Sequence, residues 1–363
     1  MQLECKPDFE ETCQRWSAFW SNGRSDRPMI AITVPKPGYP PAERPHPYLQ
    51  LERVPAEFAG MVARWAESCL FLGDQVPSYN VSFCPDHFAL LLGADMHLSG
   101  EVAPGGARTG WIEPFLHDYD QEIRFCPESR WWEKTVACIE ALKKECDGRI
   151  LVNGTHIQGG LDALSAIRGN QQLLIDLATV PDDVKNALTR INAAVDAVRR
   201  AQGELTGVAE WGSVSRHGLY APGYTDVPQC DFSCMISREM FQEFEIPCLE
   251  SECAMLDGCD YHLDGPDAIR HLKAICSVEK ITTVQWQPGA GWAAEKDWSE
   301  LYRQIDNLGR GQLRCGTKAE VLSMIRNYRS NGKSFFGVTD ITSIDEADDF
   351  LNEVKSVASH ERV

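Results

Sequence analysis

The chain has 363 residues, 14 of them cysteine, and a formal net charge of −18 at neutral pH. Hydrophobic residues make up 43% and charged residues 24%, which is the mixture of a globular protein with a large core rather than of a disordered chain. A nucleic acid or an anionic membrane binds through clustered lysine and arginine, and the sequence contains no long basic run. The composition therefore excludes both as partners.

The start of the chain and its cysteines indicate a reducing compartment. The N-terminal segment is acidic and lacks the apolar stretch of a signal peptide. No apolar run is long enough to span a membrane. The cysteines form no CxxC pair, and several fall within amphipathic helical patterns, where a thiol packs as a small hydrophobic group. We expect a cytoplasmic protein with free thiols.

Short β-rich runs alternate with helical patterns along the chain. The predicted strands are, in order, residues 29–34, 69–73, 149–153, a run within 210–216, and residues 260–264, 281–286, 311–314 and 334–338. The predicted helices are residues 85–92, 130–146, 160–179, 181–202, 237–256, 266–276, 296–308, 318–330 and 344–356. Loop-rich stretches cover residues 35–46, 99–120 and 214–229.

This order of elements predicts an α/β fold. The last four strand–helix units repeat roughly every 25–30 residues, as βα units on a parallel sheet do. Eight strands with helices between them favour a (β/α)8 TIM barrel with an N-terminal helical extension. A doubly wound sheet is the alternative, although no glycine-rich turn follows the first strand. No linker divides two cores, so residues 1–363 are predicted to form a single domain.

The clearest local feature is the run Tyr261-His262-Leu263-Asp264-Gly265. Side chains alternate between the faces of a strand, so His262 and Asp264 point the same way. The carboxyl end of a barrel strand is where catalytic groups collect. The pair could bind a metal or act as an oriented acid and base. A structural pair, in which the two groups satisfy each other, is the alternative.

Other predicted strands also end in polar or aromatic residues. Together these ends predict a polar, partly aromatic pocket for a small-molecule substrate. The polar candidates are Asp74, His156, Gln158, Asp231, Gln285, Cys315 and Asp340, and the candidate walls are Trp211, Tyr220, Trp286 and Trp292.

The pattern DxHxxG, known from cobalamin-binding domains, occurs at residues 95–100 and again at 260–265. The remainder of that signature does not follow either match. A role for His262 as the axial ligand of a corrinoid is therefore an alternative to catalysis.

Three segments carry a family resemblance. Residues 159–184, 230–272 and 316–354 resemble blocks of the uroporphyrinogen decarboxylase-like superfamily, which also holds cobalamin-dependent methyltransferases. The resemblance covers roughly residues 27–356, lies in fold and block order, and implies a TIM barrel.

The resemblance also implies a metal site. The methyltransferases of this superfamily hold zinc through a His-x-Cys pair and a distant cysteine near the final strand. His262 matches that histidine, but Asp264 stands at the cysteine position, and residues 336–340 contain no cysteine. Cys315 could complete a His262, Asp264 and Cys315 set, so zinc is a candidate cofactor.

The decarboxylase branch fits less well. Its arginine-rich N-terminal block, which grips substrate carboxylates, is missing from residues 23–38. Asp74 corresponds to the catalytic aspartate of that branch, and Asp231 falls near a substrate-facing serine. Without the arginines, so acidic a chain would neutralise a porphyrinogen poorly, and we do not expect that substrate.

The sequence favours a methyltransferase. It would move a methyl group from a small metabolite to a corrinoid or thiol acceptor, the corrinoid being carried by a separate partner protein. His262 and Asp264 would supply a metal site or a proton, while Asp74 and Asp231 would orient the substrate. A decarboxylase or lyase that uses Asp74 to stabilise a cationic intermediate, and a noncatalytic corrinoid-binding component, are the alternatives.

Overall fold

The computed structural model describes residues 2–21, 27–102, 106–289, 296–328 and 332–360. Its strands are β1 Met29–Pro35, β2 Cys69–Gly73, β3 Ser78–Asn80, β4 Asp95–Val102, β5 Arg108–Glu113, β6 Leu151–Asn153, β7 Ser213–Val214, β8 Tyr220–Ala221, β9 Thr225–Asp226, β10 Gly258–Asp264, β11 Thr283–Gln287, β12 Gly311–Gly316 and β13 Phe335–Val338.

The helices lie between and around these strands. They are α1 Phe9–Trp20, α2 Pro55–Glu67, α3 His87–Leu91, α4 Arg130–Cys146, α5 Gly160–Arg168, α6 Asn170–Thr179, α7 Pro181–Thr206, α8 Val208–Trp211, α9 Arg238–Met240, α10 Ile246–Ala254, α11 Leu272–Ile275, α12 Ser299–Asn307, α13 Lys318–Asn327 and α14 Ile344–His360. Short 3-10 helices cover Pro47–Leu51, Asp231–Met235 and Pro266–His271, and a π-helical turn at Phe241–Glu245 joins α9 to α10.

The central sheet is mostly parallel and has the order β2-β1-β13-β12-β11-β10-β9. Strands β9 to β13 and β1 run parallel, whereas β2 pairs with β1 in the antiparallel sense. A separate parallel pair joins β3 to β6. The predicted α/β class is therefore confirmed. Strands β3 and β6 are parallel too, but they form a two-stranded sheet of their own.

A closed eight-stranded barrel is not formed by strand pairing within the described residues. Strand β2 occupies the edge of β1 that β3 would need to pair with, and no ladder joins β6 to β9. Side chains bridge part of this second gap: Asn153 accepts a hydrogen bond from the amide of Val214 (3.0 Å). The fold is thus similar to a barrel, and the full ring that the sequence predicts is not shown.

Strand β10 separates a polar face from an apolar one. Tyr261 and Leu263 are buried in the large core between the sheet and the helices. Asp260, His262 and Asp264 point to the opposite face by alternation. The predicted common orientation of His262 and Asp264 follows from this geometry.

Helix α1 covers the amino ends of the central strands, which places the predicted N-terminal helix in the fold. Phe9, Trp16 and Phe19 are buried in one cluster with residues from the strand starts, including Met29 and Phe335. The Trp16 and Phe335 rings lie 5.3 Å apart. The amino end is thus covered mainly by aromatic and aliphatic side chains.

Several elements differ from the sequence prediction for local reasons. The helix predicted over 160–179 divides at Gly169, whose φ of +91° interrupts helical geometry. The loop predicted over 99–120 contains part of the β4–β5 hairpin. The helices predicted from the sequence do not include α2. In the described part of the chain, no helix is both long and apolar enough to cross a membrane.

Candidate functional site

Polar side chains converge at the carboxyl edge of the parallel strands, and we call this group the cup. The cup consists of His156, Arg216, His217, Gln229, Asp231, His262, Asp264 and Gln285. It brings together five of the residues that the sequence predicted for the site and adds three that it did not predict.

His262 lies in the middle of the cup as a neutral imidazole. Burial, aided by the charge of Arg216, lowers its pKa to about 3. Its Nδ1 is hydrogen-bonded to Oε1 of Gln285, an amide that is oriented by donating its own NH₂ to the carbonyl of Trp286 (3.3 Å). An amide oxygen only accepts, so the His262 proton is on Nδ1 and Nε2 carries the lone pair, for which the described residues supply no hydrogen-bond donor. That Nε2 lies 3.9 Å from Oδ2 of Asp264.

Asp231 begins the short helix that follows β9, and it is the acidic group of the cup with the largest resolved change in pKa. Although the residue as a whole is exposed, partial enclosure of its carboxyl and the nearby charges of Asp162 and Asp264 raise its pKa to about 8. Gln229 donates a hydrogen bond to its Oδ2 (3.0 Å). At neutral pH this carboxyl is therefore a neutral acid with a proton to give.

Buried Asp162 fixes the backbone at this point. Its two carboxyl oxygens accept hydrogen bonds from the amides of Asp231 and Phe232, each at 2.9 Å. These amides belong to the first turn of the helix Asp231–Met235, whose free N–H groups need acceptors. Asp162 thus holds Asp231 in place, and after desolvation its charge is a further cause of the raised Asp231 pKa.

The carboxyl of Asp231, the imidazole of His262 and the carboxyl of Asp264 lie close enough to test as a metal site. Within the described residues they form a group whose potential ligand atoms all lie within 4.8 Å of one another. Cys315 does not belong to that group; it lies on β12 and is exposed.

The group does not fit the zinc site that the sequence resemblance implies. It offers no thiolate, and its donor atoms are one imidazole nitrogen and two carboxyl oxygens. The charge of Arg216, which acts on both His262 and Asp264, also opposes a divalent cation. We therefore derive no chemistry through a metal.

A second histidine lies beside the first. His217 and His262 have ring centroids 5.6 Å apart. Nδ1 of His217 is 2.6 Å from Oδ2 of Asp260, a fully buried carboxylate on the same face of β10 as His262. His156 makes a similar pair with Asp226 at 2.7 Å. The cup therefore contains two histidines oriented by carboxylates and one oriented by an amide.

Two cavities open at the cup, and Gln158 lines both of them. The smaller, of about 350 Å³, is lined by Asp86, Asp162 and Asp231 together with Trp111 and other apolar side chains. The larger, of about 580 Å³, includes His156 and Arg216. The two cavities have the size of small-molecule sites, with an acidic side next to Asp231 and a basic side next to Arg216.

Asp74 does not belong to the cup, and its assignment as a catalytic group is corrected here. Strand β2 runs antiparallel to β1, so the residue after β2 lies at the amino end of the parallel strands. Asp74 is fully buried there, accepts the amide of Ile30 (2.8 Å), and is paired with Arg15 (2.6 Å) and Arg27. These contacts make it a structural anchor for α1 and β1.

The predicted aromatic walls also lie elsewhere. Tyr220 is buried against Phe9 of α1, with ring centroids 5.7 Å apart, and its hydroxyl donates to the carbonyl of Trp211 (3.1 Å). Trp211 stacks on the same phenylalanine. Trp286 packs in the core between sheet and helices. Trp292 lies outside the described residues. None of these three described residues belongs to the cup, because each packs against core or α1.

Asp340 is exposed after β13, and its carboxylate accepts the amide of Lys318 at the start of α13 (2.7 Å). This contact satisfies one of the free N–H groups of that helix, so the structure gives Asp340 a capping role rather than a place in the cup.

The sequence prediction missed Arg216, His217 and Gln229, although all three lie in the predicted loop 214–229. The sequence feature that could have identified them is a polar run in a loop expected to cover the strand ends. It also missed Asp260, which the alternation used for His262 and Asp264 places on the same face two residues earlier.

The fold is similar to that of a solved methyltransferase from Methanosarcina mazei, with a TM-score of 0.59 at 10% sequence identity. The similarity covers 95% of this chain and 98% of that chain. No protein-family model matches this sequence, and no curated protein matches it. At so low an identity, the comparison shows a shared fold alone, and the chemistry has to be argued from the cup.

Proposed function

We propose that this chain transfers a methyl group from a small methylated metabolite to a nucleophilic acceptor, with Asp231 as the general acid. The observation that carries the proposal is a carboxyl with a pKa of about 8, close to a neutral histidine, at the edge of the smaller cavity. The shared fold with a methyltransferase supports the reaction class.

Methyl transfer needs an acid because of what happens to the donor atom. The acceptor attacks the methyl carbon, the bond from carbon to the nitrogen, oxygen or sulfur of the donor breaks, and that atom leaves with the electron pair. A proton supplied to the leaving atom lowers the barrier, and a positioned acid typically contributes about 10²–10⁴-fold. Asp231 is in its acid form at neutral pH and can supply this proton.

His262 and Asp264 would position the donor. The free Nε2 of His262 accepts an N–H or O–H of the substrate, and its orientation is fixed by Gln285. Asp264, 3.9 Å from that nitrogen, places a second acceptor on the same side. His156, Gln158 and Gln285 would complete the substrate contacts, as polar groups of the cup and its cavities.

The acceptor can be a corrinoid on a separate partner protein or a thiol. Trp111 and Met235, with 57% and 46% of their surfaces exposed, lie at the mouth of the smaller cavity. They would offer an apolar contact to a partner that brings a corrinoid to the cup.

The experiment is a transfer assay with a panel of N-methyl, O-methyl and S-methyl donors and two acceptors, cob(I)alamin and a small thiol. Mass spectrometry detects the methylated acceptor. We expect transfer from at least one donor class and a loss of about 10²-fold or more in Asp231→Asn. Asp340→Ala is the matched control, since it removes an exposed aspartate outside the cup. No transfer in the whole panel would refute the proposal.

The lyase alternative has less support, because Asp74, on which it depends, is held in ion pairs at the opposite end of the strands.

The corrinoid-binding alternative would need an accessible axial histidine. His97, in the first DxHxxG match, lies on the exposed β4–β5 hairpin, and His262 lies within strand β10. An unchanged cobalamin spectrum on mixing would exclude that alternative.

A further inference from the structure

We infer that His217, oriented by Asp260, is the general base of this site and that the acceptor it serves carries a proton, as a thiol does. The inference deepens the proposed methyl transfer and rests on it. Neither residue is needed for the acid role of Asp231 described above.

The geometry sets the tautomer of His217. Its Nδ1 is 2.6 Å from Oδ2 of Asp260, and an ionised carboxylate only accepts hydrogen bonds, so the proton of the ring is on Nδ1. Nε2 then carries the lone pair, and it has no hydrogen-bond partner among the described residues. The side chain is 15% exposed, so it reaches the solvent of the cup.

Asp260 is fully buried, and its second oxygen, Oδ1, has no hydrogen-bond partner in the described part of the chain. Burying a carboxylate with so few partners is costly, and a nearby cation offsets that cost. A proton taken up by His217 would create such a cation 2.6 Å away. The arrangement therefore favours protonation of His217 at the moment of reaction.

His262 is not arranged for this task. The partner of its Nδ1 is the neutral amide of Gln285, which stabilises an imidazolium less than a carboxylate does. The cup thus holds two adjacent histidines with different partners. One is suited to accept a hydrogen bond and the other to accept a proton.

The acid is hydrogen-bonded to the chain neighbour of the base. Arg216, the residue before His217, donates to Oε1 of Gln229, and Gln229 donates through its Nε2 to Asp231 (3.0 Å). These contacts tie the segment that carries His217 to Asp231.

A base is needed only when the acceptor has a proton to lose. With a thiol, the S–H proton goes to Nε2 of His217, the sulfur attacks the methyl carbon, and the bond from carbon to the donor atom breaks. The proton of Asp231 goes to the leaving atom, and exchange with solvent returns both groups to their starting forms. The products are the methyl thioether and the protonated, demethylated donor. Cob(I)alamin attacks through its metal and has no proton to lose.

The test compares the two acceptors in His217→Ala. We expect the ratio of thiol-directed to cob(I)alamin-directed rates to fall about 100-fold, and added imidazole to restore part of the thiol-directed rate. His97→Ala is the matched control, because it removes an exposed histidine from the β4–β5 hairpin and should leave the ratio unchanged.

Asp260→Asn provides a second readout. An asparagine amide can donate to Nδ1, so ¹⁵N NMR of the histidine side chains should show the proton of His217 on Nε2. Equal losses with both acceptors in His217→Ala, or wild-type transfer to cob(I)alamin but to no thiol, would overturn the inference and leave the proposed function intact. Absence of transfer to either acceptor would overturn both.

Discussion

The chemistry of single residues in the cup depends on where their protons are. Asp231 is expected to work only in its acid form, and its pKa is raised to about 8. The transfer rate should therefore be constant at neutral pH and fall as the pH rises through about 8. In Asp231→Asn the residual rate should lack this fall. A rate–pH profile of both proteins tests this, and a profile that is the same in the two would contradict the role of Asp231.

Asp74 is expected to act on stability and not on catalysis. Asp74→Asn leaves Arg27, only 7% exposed, without its buried anion, a loss of about 3–5 kcal/mol in the free energy of unfolding. Urea unfolding measures this loss, and Asp340→Ala should cost about 1 kcal/mol or less. Ion pairing lowers the Asp74 pKa, so its stabilising effect is present at neutral pH and is lost as pH falls through that lowered value. A stable but inactive Asp74→Asn would contradict this assignment.

Prediction from the sequence succeeded for side chains whose orientation depends on a single strand. Alternation alone places His262 and Asp264 on one face. It failed for Asp74, because the direction in which β2 pairs with β1 depends on contacts between distant segments. The side chains that determine which nitrogen of a histidine carries the proton, such as Asp260 for His217, lie far from it in the sequence. No local sequence pattern therefore reveals these pairs.

Among the secondary-structure elements, α1 has the clearest effect on stability. Trp16 is fully buried beneath the strands, and its Nε1 donates to the carbonyl of Asp74 (3.0 Å). Trp16→Ala should lower the free energy of unfolding by about 3–5 kcal/mol. The same substitution at Trp111, 57% exposed on β5, should change it by about 0.5 kcal/mol or less. Equal effects in urea unfolding would show that α1 is not part of the cooperative core.

The element pattern was predictable where hydrophobic period and capping residues agree, as in α4 and at the capping box of α13. The short strands β3, β7, β8 and β9 have two or three residues each, too few to show a period. The missed β3 and the antiparallel β2 together explain why the sequence predicted a regular ring where the described strands form an interrupted one.

For the molecule as a whole, we expect activity without a bound metal. All fourteen cysteines are free thiols, and eight are buried, so they act as packing groups. The Asp231, His262 and Asp264 group contains no thiolate. Elemental analysis of protein prepared without chelator should find well under one zinc per chain, and EDTA should not reduce the transfer rate. One tightly bound zinc that disappears in His262→Ala would contradict this expectation.

The role of Asp231 as the acid that protonates the leaving atom is tested most directly by changing that atom in the methyl donor. A sulfonium donor leaves as a neutral thioether and needs no proton, whereas a neutral N-methyl or O-methyl donor does. Transfer from both kinds of donor should be measured in the wild type and in Asp231→Asn, with Asp340→Ala as control. We expect the variant to lose about 10²-fold or more of the rate with the neutral donor and little with the sulfonium. Equal losses with the two donors would contradict it.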